Sequence, residues 1–245
     1  DNSARIWNAE TGQAVRKLEG EHTAFVNSAA FSPDGQFVLT ASDDGTAKLW
    51  TVAEGKVVRT FSGHTDRVRS ALFSSDGKMA VTTSSDKTAW LWNTATGAVI
   101  RKFSGHQWAV LTADLSRDGT RLITGSEDNV AKVWDVATGN CLLTLAGHTA
   151  PVASVAFSPD ATRALTGSLD QAAKLWDART GKEVLTLSRH SQDVTSVSFS
   201  PDGKQVLTGS RDGTAILWLT VDWKPTPPLA ALRITTTMRT AMEGK

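Results

Sequence analysis

Serine, histidine and aspartate recur at fixed distances along this chain, and hydrolases combine these residue types for nucleophilic catalysis. One such set is His148, Ser168 and Asp170. All five histidines of the 245-residue chain are spaced 42 residues apart, and a Ser-x-Asp triplet follows each at the same distance. A hydrolase needs one active site, whereas this set occurs five times. The repeated residues are therefore predicted to be structural, and the chain to be non-catalytic.

Tryptophans mark the same period, at positions 7, 50, 92, 134, 176 and 218. The first step is one residue longer because an extra residue lies near Glu21. Within one unit, residues 147–187, four short runs rich in β-forming residues are separated by turn residues such as Ser-Pro-Asp. No stretch shows sustained helical periodicity. Each unit is therefore predicted to form a four-stranded antiparallel sheet.

The pattern of a Gly-His pair, a Ser-x-Asp turn and a Trp at this period resembles the WD40 repeat, and it covers residues 1 to about 220. The resemblance implies an all-β propeller of WD40 type, in which four-stranded antiparallel blades surround a channel. Five nearly complete blades and an N-terminal half-blade are expected within residues 1–220. Residues 221–245 are expected to form a proline-containing tail, in which "LAALRI" can supply one outer strand.

The closure of the ring has three alternative interpretations. The chain can be a segment of a longer array, and seven blades is the commonest number in the family. It can close into six blades with strands from its tail. Its exposed strand edges can instead pair with another chain, because an open ring leaves such edges unpaired. We favour the first interpretation.

The resemblance also implies a buried hydrogen-bonded set in every blade. The set joins a His between blades, an Asp from a hairpin, a strand Thr or Ser, and the Trp. A buried indole N–H needs such an acceptor. In the fourth unit the strand member is Thr166 or Ser168. Taking the Thr throughout, the sets are His22, Thr40, Asp44 and Trp50; His64, Thr82, Asp86 and Trp92; His106, Thr124, Asp128 and Trp134; His148, Thr166, Asp170 and Trp176; and His190, Thr208, Asp212 and Trp218.

The composition disfavours several classes of partner. The 26 basic and 25 acidic residues give a net charge of +1, so no nucleic-acid partner is expected. The apolar runs are far shorter than a membrane span of about 20 residues. The single Cys141 and the distribution of one His per unit leave no metal site or cofactor site. A chain with one cysteine fits a reducing compartment, and a cytoplasmic location is predicted.

Function is expected where the copies differ. Two loops per unit carry chemically scattered residues, and in the family these loops open on one face. The candidate partner-binding residues in these loops are Phe25, Arg67, Arg69, Trp108, Leu111, Glu127, Leu169, Asp193 and Arg211.

Trp108 departs most strongly from its counterparts, which are Ala24, Asp66, Ala150 and Gln192. It is predicted to be an exposed aromatic anchor flanked by Arg67, Arg69, Leu111 and Leu169, because Trp and Arg often dominate interfaces. The alternative is that Trp108 folds over its own blade or plugs the central opening. Trp90 replaces a lysine and is predicted to cover a strand surface.

These observations favour a non-catalytic scaffold that binds a protein or peptide on the face of the inter-blade loops, within a larger signalling or regulatory protein. A structural or self-assembling array is the alternative. An enzyme built on a propeller is a weaker one, because the non-periodic positions offer no catalytic acids or metal ligands. A local cluster of Arg67, Arg69 and Arg211 would favour nucleic acid, and binding would then depend strongly on salt.

Overall fold

A computed structural model of the protein describes residues 1–219, and every regular element in this range is a β-strand. The predicted all-β class is therefore confirmed. None of these residues belongs to a helix that is long and apolar enough to cross a membrane. The tail at 221–245, with the outer strand expected from "LAALRI", lies outside the described residues.

The strands form six separate antiparallel sheets in chain order. The half-blade contains β1 (Ala4–Trp7) and β2 (Ala14–Leu18). Blade 1 contains β3 (Val26–Phe31), β4 (Phe37–Ser42), β5 (Ala47–Thr51) and β6 (Val57–Phe61). Blade 2 contains β7 (Val68–Phe73), β8 (Met79–Ser84), β9 (Thr88–Asn93) and β10 (Val99–Ser104).

The later blades repeat this meander. Blade 3 contains β11 (Val110–Leu115), β12 (Arg121–Ser126), β13 (Val130–Asp135) and β14 (Cys141–Ala146). Blade 4 contains β15 (Val152–Phe157), β16 (Arg163–Ser168), β17 (Ala173–Asp177) and β18 (Glu183–Leu187). Blade 5 contains β19 (Val194–Phe199), β20 (Gln205–Ser210) and β21 (Ala215–Leu219). Among residues 1–219, four blades thus have all four strands, and blade 5 has three.

A serine and an aspartate close the turn between the first two strands of each blade. In blade 4, the Ser158 hydroxyl donates to Asp160 Oδ1 at 2.6 Å and accepts a hydrogen bond from the Arg163 backbone N–H. The same carboxylate oxygen accepts the Thr162 backbone N–H. Such local side-chain bonds favour a turn over continued strand. The motif Ser-x-Asp-x therefore fixes the position at which the second strand begins.

Apolar side chains of neighbouring sheets make the core. Leu165, Leu175 and Ala173 of blade 4 pack against Val194 and Trp218 of blade 5 in one buried cluster. Small side chains at the Ala173 position allow this approach. The equivalent alanines 47, 89 and 131 are also fully buried. Burial between blades, at about 25 cal/mol per Å² of apolar surface, is the main stabilising term for such stacked sheets.

Hydrogen bonds between first strands also join adjacent blades. Ser28 Oγ on β3 contacts the backbone of Ala71 on β7. Asp114 Oδ2 on β11 accepts the Phe157 N–H on β15 at 2.7 Å. Ser154 Oγ on β15 accepts the Val197 N–H on β19 at 3.0 Å. One polar residue on the first strand can therefore tie its blade to the next.

The two outermost sheets differ in their surroundings. Ile6 and Leu18 of the half-blade pack against Trp50 of blade 1. On blade 5, Leu207 and Leu217 are about half exposed, whereas the equivalent side chains of blade 4 are fully buried by blade 5. Within residues 1–219, no strand pairing joins the half-blade to blade 5.

A substitution at Gly167 on β16 tests how closely the sheets of blades 4 and 5 pack. A Cβ atom there would stand 2.6 Å from Val197 Cγ1 of the next blade. We expect Gly167→Ala to lower the free energy of unfolding by about 1–3 kcal/mol, as overpacked cores do. Gly209→Ala at the equivalent position of blade 5 is the control, since its Cβ would meet only the rotatable Ser196 Oγ. Equal losses in chemical denaturation of the two variants would contradict this account.

Candidate functional site

One hydrogen-bonded relay crosses the interior of each of blades 1 to 5. In blade 3, Trp134 Nε1 donates to Thr124 Oγ1 at 2.8 Å. Thr124 Oγ1 lies 2.7 Å from His106 Nε2, and His106 Nδ1 lies 2.8 Å from Asp128 Oδ2. The relay therefore connects the third strand to the second, and then to the two loops at one end of the blade.

The same atoms meet in all five blades. The Trp–Thr distances are 2.8–2.9 Å. The Thr–His distances are 2.7–2.8 Å, and the His–Asp distances are 2.7–2.9 Å. The structure thus brings together every set expected from the sequence, which are His22, Thr40, Asp44 and Trp50; His64, Thr82, Asp86 and Trp92; His106, Thr124, Asp128 and Trp134; His148, Thr166, Asp170 and Trp176; and His190, Thr208, Asp212 and Trp218.

The serine of the Ser-x-Asp triplet between the second and third strands lies outside the relay and has a different role. In blade 4 the relay uses Thr166, while Ser168 Oγ donates to the Ala150 carbonyl at 2.9 Å and accepts the Asp170 N–H at 3.1 Å. Asp170 also accepts the backbone N–H of Thr149. The serine and the aspartate therefore hold the main chain of the inter-blade loop, and the threonine holds the interior.

The charge state of the relay follows from its burial. Burial lowers the pKa of His106, and it does the same for His22 and His148. Burial opposes the ionisation of Asp86, but hydrogen bonds from His64 and Thr88 outweigh it and lower its pKa to about 2. A neutral imidazole beside a carboxylate donates from Nδ1, so Nε2 accepts the threonine hydroxyl proton. The direction is then Trp to Thr to His to Asp.

This geometry does not present the histidines to a substrate. Their side chains are at most 2% exposed. Both ring nitrogens are already hydrogen-bonded within the blade. Among residues 1–219, no three His, Cys, Asp or Glu side chains come together as metal ligands would. The repeated set thus rigidifies the blade, as fully paired polar networks in a low dielectric do.

Trp90 replaces the lysine that blades 1, 3 and 4 place on the third strand. It is buried, with its ring centroid 4.5 Å from that of His64 and 5.1 Å from that of Trp92. Lys102 Nζ lies 3.5 Å from its ring centroid, on the adjacent strand of blade 2. Trp90 therefore covers the relay of its own blade and leaves little surface for a partner.

The loops that precede the first strands and the hairpins between second and third strands lie at the same end of each sheet. This surface, which carries Phe25, Trp108, Arg67, Glu127 and Arg211, is called the rim face below. Trp108 is 61% exposed and Phe25 is 64% exposed. The ring of Trp108 is therefore not buried. Its backbone is nevertheless fixed, because its carbonyl accepts the Ser126 hydroxyl.

Each arginine among the rim-face candidates contacts a neighbouring polar or acidic side chain. Arg67 Nε lies 3.9 Å from Asp43 Oδ2, and Arg69 Nε donates to Ser85 Oγ at 2.8 Å. Arg211 forms an ion pair with Asp193 at 2.7 Å. The remaining candidates are the exposed Glu127 and the half-buried Leu111 and Leu169.

Two features of the structure were not expected from the sequence. Lys87 Nζ of blade 2 lies 5.6 Å from the ring centroid of Trp108 in blade 3, within the range of a cation–π contact. Lys87 occupies a hairpin position with φ 73°, where blade 1 has Gly45. Burial raises the pKa of Asp114, the residue between blades 3 and 4, to about 6. Its carboxylate stands where other first strands carry uncharged residues, a difference that is visible in the aligned units.

Comparison with known families now has a structural basis. A family model described as "WD domain, G-beta repeat" matches residues 12–51, 55–93, 97–135, 139–177 and 181–218. The chain belongs to the WD40-repeat family. The resemblance noted in the sequence is thereby confirmed, and the WD40-type fold with it.

Individual relatives match short segments. Nuclear distribution protein PAC1 of Arthroderma otae is 47% identical over 68 residues, which are 26% of this chain and 14% of the relative. Small ribosomal subunit protein RACK1y of Oryza sativa is 41% identical over 58 residues, 24% of this chain and 17% of the relative. The U5 small nuclear ribonucleoprotein 40 kDa protein of Mus musculus is 50% identical over 54 residues, which are 22% of this chain and 15% of the relative. The aligned segments span less than a fifth of these relatives.

Thr124→Val tests the relay. Valine keeps the shape but leaves the Trp134 N–H and His106 Nε2 without a partner, and each orphaned buried group costs about 1–3 kcal/mol. We expect the free energy of unfolding to fall by at least about 2 kcal/mol, measured by chemical denaturation, and Thr124→Ser to restore most of it. The control is Thr144→Val, where the exposed hydroxyl accepts from Lys132 Nζ and contacts Cys141 Sγ. A loss no larger than that of the control would contradict the relay.

The lowered pKa values predict loss of stability in acid. The folded state keeps His22, His106 and His148 neutral, whereas the unfolded chain protonates them near pH 6.5. Stability is therefore fully present above pH 6.5 and falls as the pH drops below it. We expect the Tm to decrease between pH 7.5 and pH 5.0.

Protonation of Asp114 has the opposite effect on stability, so this residue provides the control. Its folded pKa of about 6 exceeds the ordinary value of 3.8, so protonation below pH 6 stabilises the fold. In Asp114→Asn this opposing effect is absent, and the decrease in Tm between pH 7.5 and 5.0 should be steeper. A flat or rising Tm in this variant over that interval would show that the histidines are not neutral in the folded chain.

Proposed function

We propose that this WD40-repeat chain is a non-catalytic platform that binds a protein or peptide partner on its rim face. The observation that carries the proposal is Trp108, a large aromatic side chain that is 61% exposed at a position where every other copy has a smaller residue. Tryptophan is enriched at the residues that dominate binding energies. The rest of the proposed set comprises the other variable rim-face positions, Phe25, Arg67, Arg69, Leu111, Glu127, Leu169, Asp193 and Arg211.

The fixed backbone beneath Trp108 supports this role. Gln107 N–H is held by Asp128, and the Trp108 carbonyl is held by Ser126. A pre-organised loop loses less conformational entropy on binding, so more of the contact energy contributes to affinity. Lys87 beside the ring adds a positive charge to the same spot. The favoured partner therefore carries an apolar or aromatic group next to an acidic one.

The charge distribution supports a protein partner over nucleic acid. Arg67 and Arg211 each face an aspartate, and the overall charge is +1. Phosphate recognition depends on free basic side chains and weakens steeply with salt. A cytoplasmic location and a place within a larger regulatory protein remain predictions from the sequence. The short segments shared with the named relatives support membership in the family alone.

Self-association is a second candidate, favoured by the exposed Leu207 and Leu217 on the outer face of blade 5. These side chains match positions that are fully buried against the next blade elsewhere in the chain. A contiguous exposed apolar patch commonly marks an interaction surface. Light scattering over a range of concentrations distinguishes this candidate from a monomeric platform.

Trp108→Ala tests the rim-face proposal. Peptides are first selected from a displayed random library on the wild-type chain, and the affinity for each variant is then measured by calorimetry. We expect Trp108→Ala to weaken binding about tenfold or more, as truncation of an aromatic anchor does. The Tm should change little, because the ring is exposed.

The matched control is Trp7→Ala, which removes a tryptophan that is 57% exposed on the half-blade. This variant should bind the selected peptides like the wild type. Equal binding by Trp108→Ala and the wild type would overturn the proposal. A large fall in the Tm of Trp108→Ala would assign the ring to stability instead.

A further inference from the structure

A pocket lies between blades 1 and 2, on the face opposite the rim face. Its volume is about 910 Å³, within the usual range for ligand sites. Its walls are largely apolar and include Phe37 and Leu49 of blade 1 and Phe73 of blade 2. Its edge is formed by the turns that contain Gly77 and Thr94. None of the rim-face candidates lines it, so it is a separate feature.

The equivalent gap between blades 3 and 4 is filled by the chain itself. Arg121 extends from blade 3 and donates to the carbonyl oxygens of Ala161 and Ala178 in blade 4. Its guanidinium carbon lies 5.4 Å from the ring centroid of Phe157. One arginine side chain thus satisfies two backbone acceptors and packs on an aromatic face. This packing shows which chemical group suits such a gap.

The gap between blades 1 and 2 has the aromatic ring and the two turn positions of that arrangement but not its arginine. Phe73 stands at the position of Phe157, Gly77 at that of Ala161, and Thr94 at that of Ala178. Phe37 stands at the position of Arg121, and all four of these residues line the pocket. The acceptors and the aromatic ring are therefore present, and a phenylalanine takes the place of the arginine donor.

The gap between blades 2 and 3 shows the other way to close such a space. There Met79 and Val136 pack against the apolar cluster that joins the two blades. Met79 Cε would lie 3.5 Å from a Cβ atom at Gly119, so the side chain fills the space above that turn. Between blades 1 and 2, the counterpart of Val136 is Thr94, a polar residue that does not complete an apolar plug.

Thr94 supplies an independent sign of a missing polar partner. Its Oγ1 atom is buried and has no hydrogen-bond partner within the described residues. Nor does any side chain of residues 1–219 donate to the carbonyl oxygens of Gly77 and Thr94, unlike those of Ala161 and Ala178. Buried polar groups are nearly always paired in folded proteins. A donor from outside the described chain would satisfy these acceptors.

The charges at the mouth of the pocket admit a cation. Hydrogen bonds from Ser32 and Ser74 lower the pKa values of Asp34 and Asp76, so both carboxylates are ionised at neutral pH. Arg59 and Lys78 also line the pocket. The Arg59 guanidinium donates to the Thr96 carbonyl, and Lys78 is 3.9 Å from Asp76 with its side chain 82% exposed. Asp34 has no basic partner among the described residues.

We propose that the pocket between blades 1 and 2 binds an arginine side chain of a partner protein. The guanidinium packs against Phe73 and donates to the carbonyl oxygens of Gly77 and Thr94, as Arg121 does for blade 4. The Asp34 carboxylate at the mouth of the pocket takes its remaining donors. This site goes beyond the rim-face function and does not depend on Trp108.

The probe is the blocked tripeptide acetyl-Gly-Arg-Gly-amide, with the Lys and Leu tripeptides as comparisons. Each is titrated into the ¹⁵N-labelled chain while amide resonances are followed. We expect saturable shifts at Gly77 and Thr94 with the Arg peptide. Its affinity should be about fivefold or more higher than that of the Leu peptide, since charge-assisted pairs to fixed acceptors outweigh apolar contact alone.

Phe37→Arg is the decisive variant, because it places an arginine where Arg121 stands in the later gap. It should occupy the pocket from within, reduce binding of the Arg peptide about tenfold or more, and keep the Tm close to that of the wild type. Phe37→Leu is the matched control, which leaves the pocket open and should retain binding within about threefold.

A second variant keeps the test valid if Phe37→Arg does not fold. Phe73→Leu removes the aromatic ring and introduces the residue found at the equivalent Leu115, so its packing is compatible with the fold. It should abolish the preference for Arg over Leu. Equal affinity of the wild type for the Arg and Leu peptides would overturn the proposal, as would undiminished Arg binding by Phe37→Arg. Trp108→Ala should bind the Arg peptide normally, which separates this result from the rim-face proposal.

Discussion

The indole N–H of a buried tryptophan needs an acceptor, and the fold depends on how each blade supplies it. A threonine hydroxyl stands between the Trp and the His, accepting from one and donating to the other. The histidine in turn donates to an ionised aspartate, which also holds the backbone of the loop above. In blade 3 these roles belong to Trp134, Thr124, His106 and Asp128. One interaction thus connects the interior to the loops, and residues that resemble a catalytic set are engaged in structure.

The sequence repeat is offset from the blade, and this offset links each blade to the next. The matched segment 12–51 begins at the outer strand of the half-blade and ends with the third strand of blade 1. Each copy of the repeat therefore contributes strands to two adjacent sheets. The chain that leaves one blade's edge enters the first strand of the next, where residues such as Ser154 bond across the gap. The covalent connection and the side-chain packing therefore join the same pairs of adjacent blades.

The periodic residues allowed the fold and the family to be predicted, because the spacing of Trp and His repeats a complete structural unit. The antiparallel strands of each unit and the turn residues between them followed from local chemistry. The environment of Trp108 could not be predicted in the same way. The arginines thought to flank it bond to Asp43 and Ser85, and its neighbour is Lys87 of the preceding blade. Such contacts depend on how two hairpins meet in space, which a one-dimensional pattern does not contain.

The pocket between blades 1 and 2 was beyond sequence analysis for a related reason. Phe37, Met79 and Arg121 occupy one repeat position, and each is an ordinary variation when read alone. Their effect depends on the turn of the following blade, where Thr94, Val136 and Ala178 differ in turn. A pocket remains between two blades only where neither the residue at the Phe37 position nor the residue at the Thr94 position fills it. The signal is a joint property of distant positions, and the comparison of equivalent gaps makes it visible.

The anchoring of the rim-face loops has a consequence for how the surface can change. Main-chain groups of these loops are held by Asp and Ser residues whose side chains point inward, so the outward side chains have little part in stability. If the rim face binds a partner as proposed, a substitution at an exposed position there would alter recognition with little effect on stability. The scaffold would then separate the demands of folding from those of selectivity, and new specificities could be introduced one loop at a time.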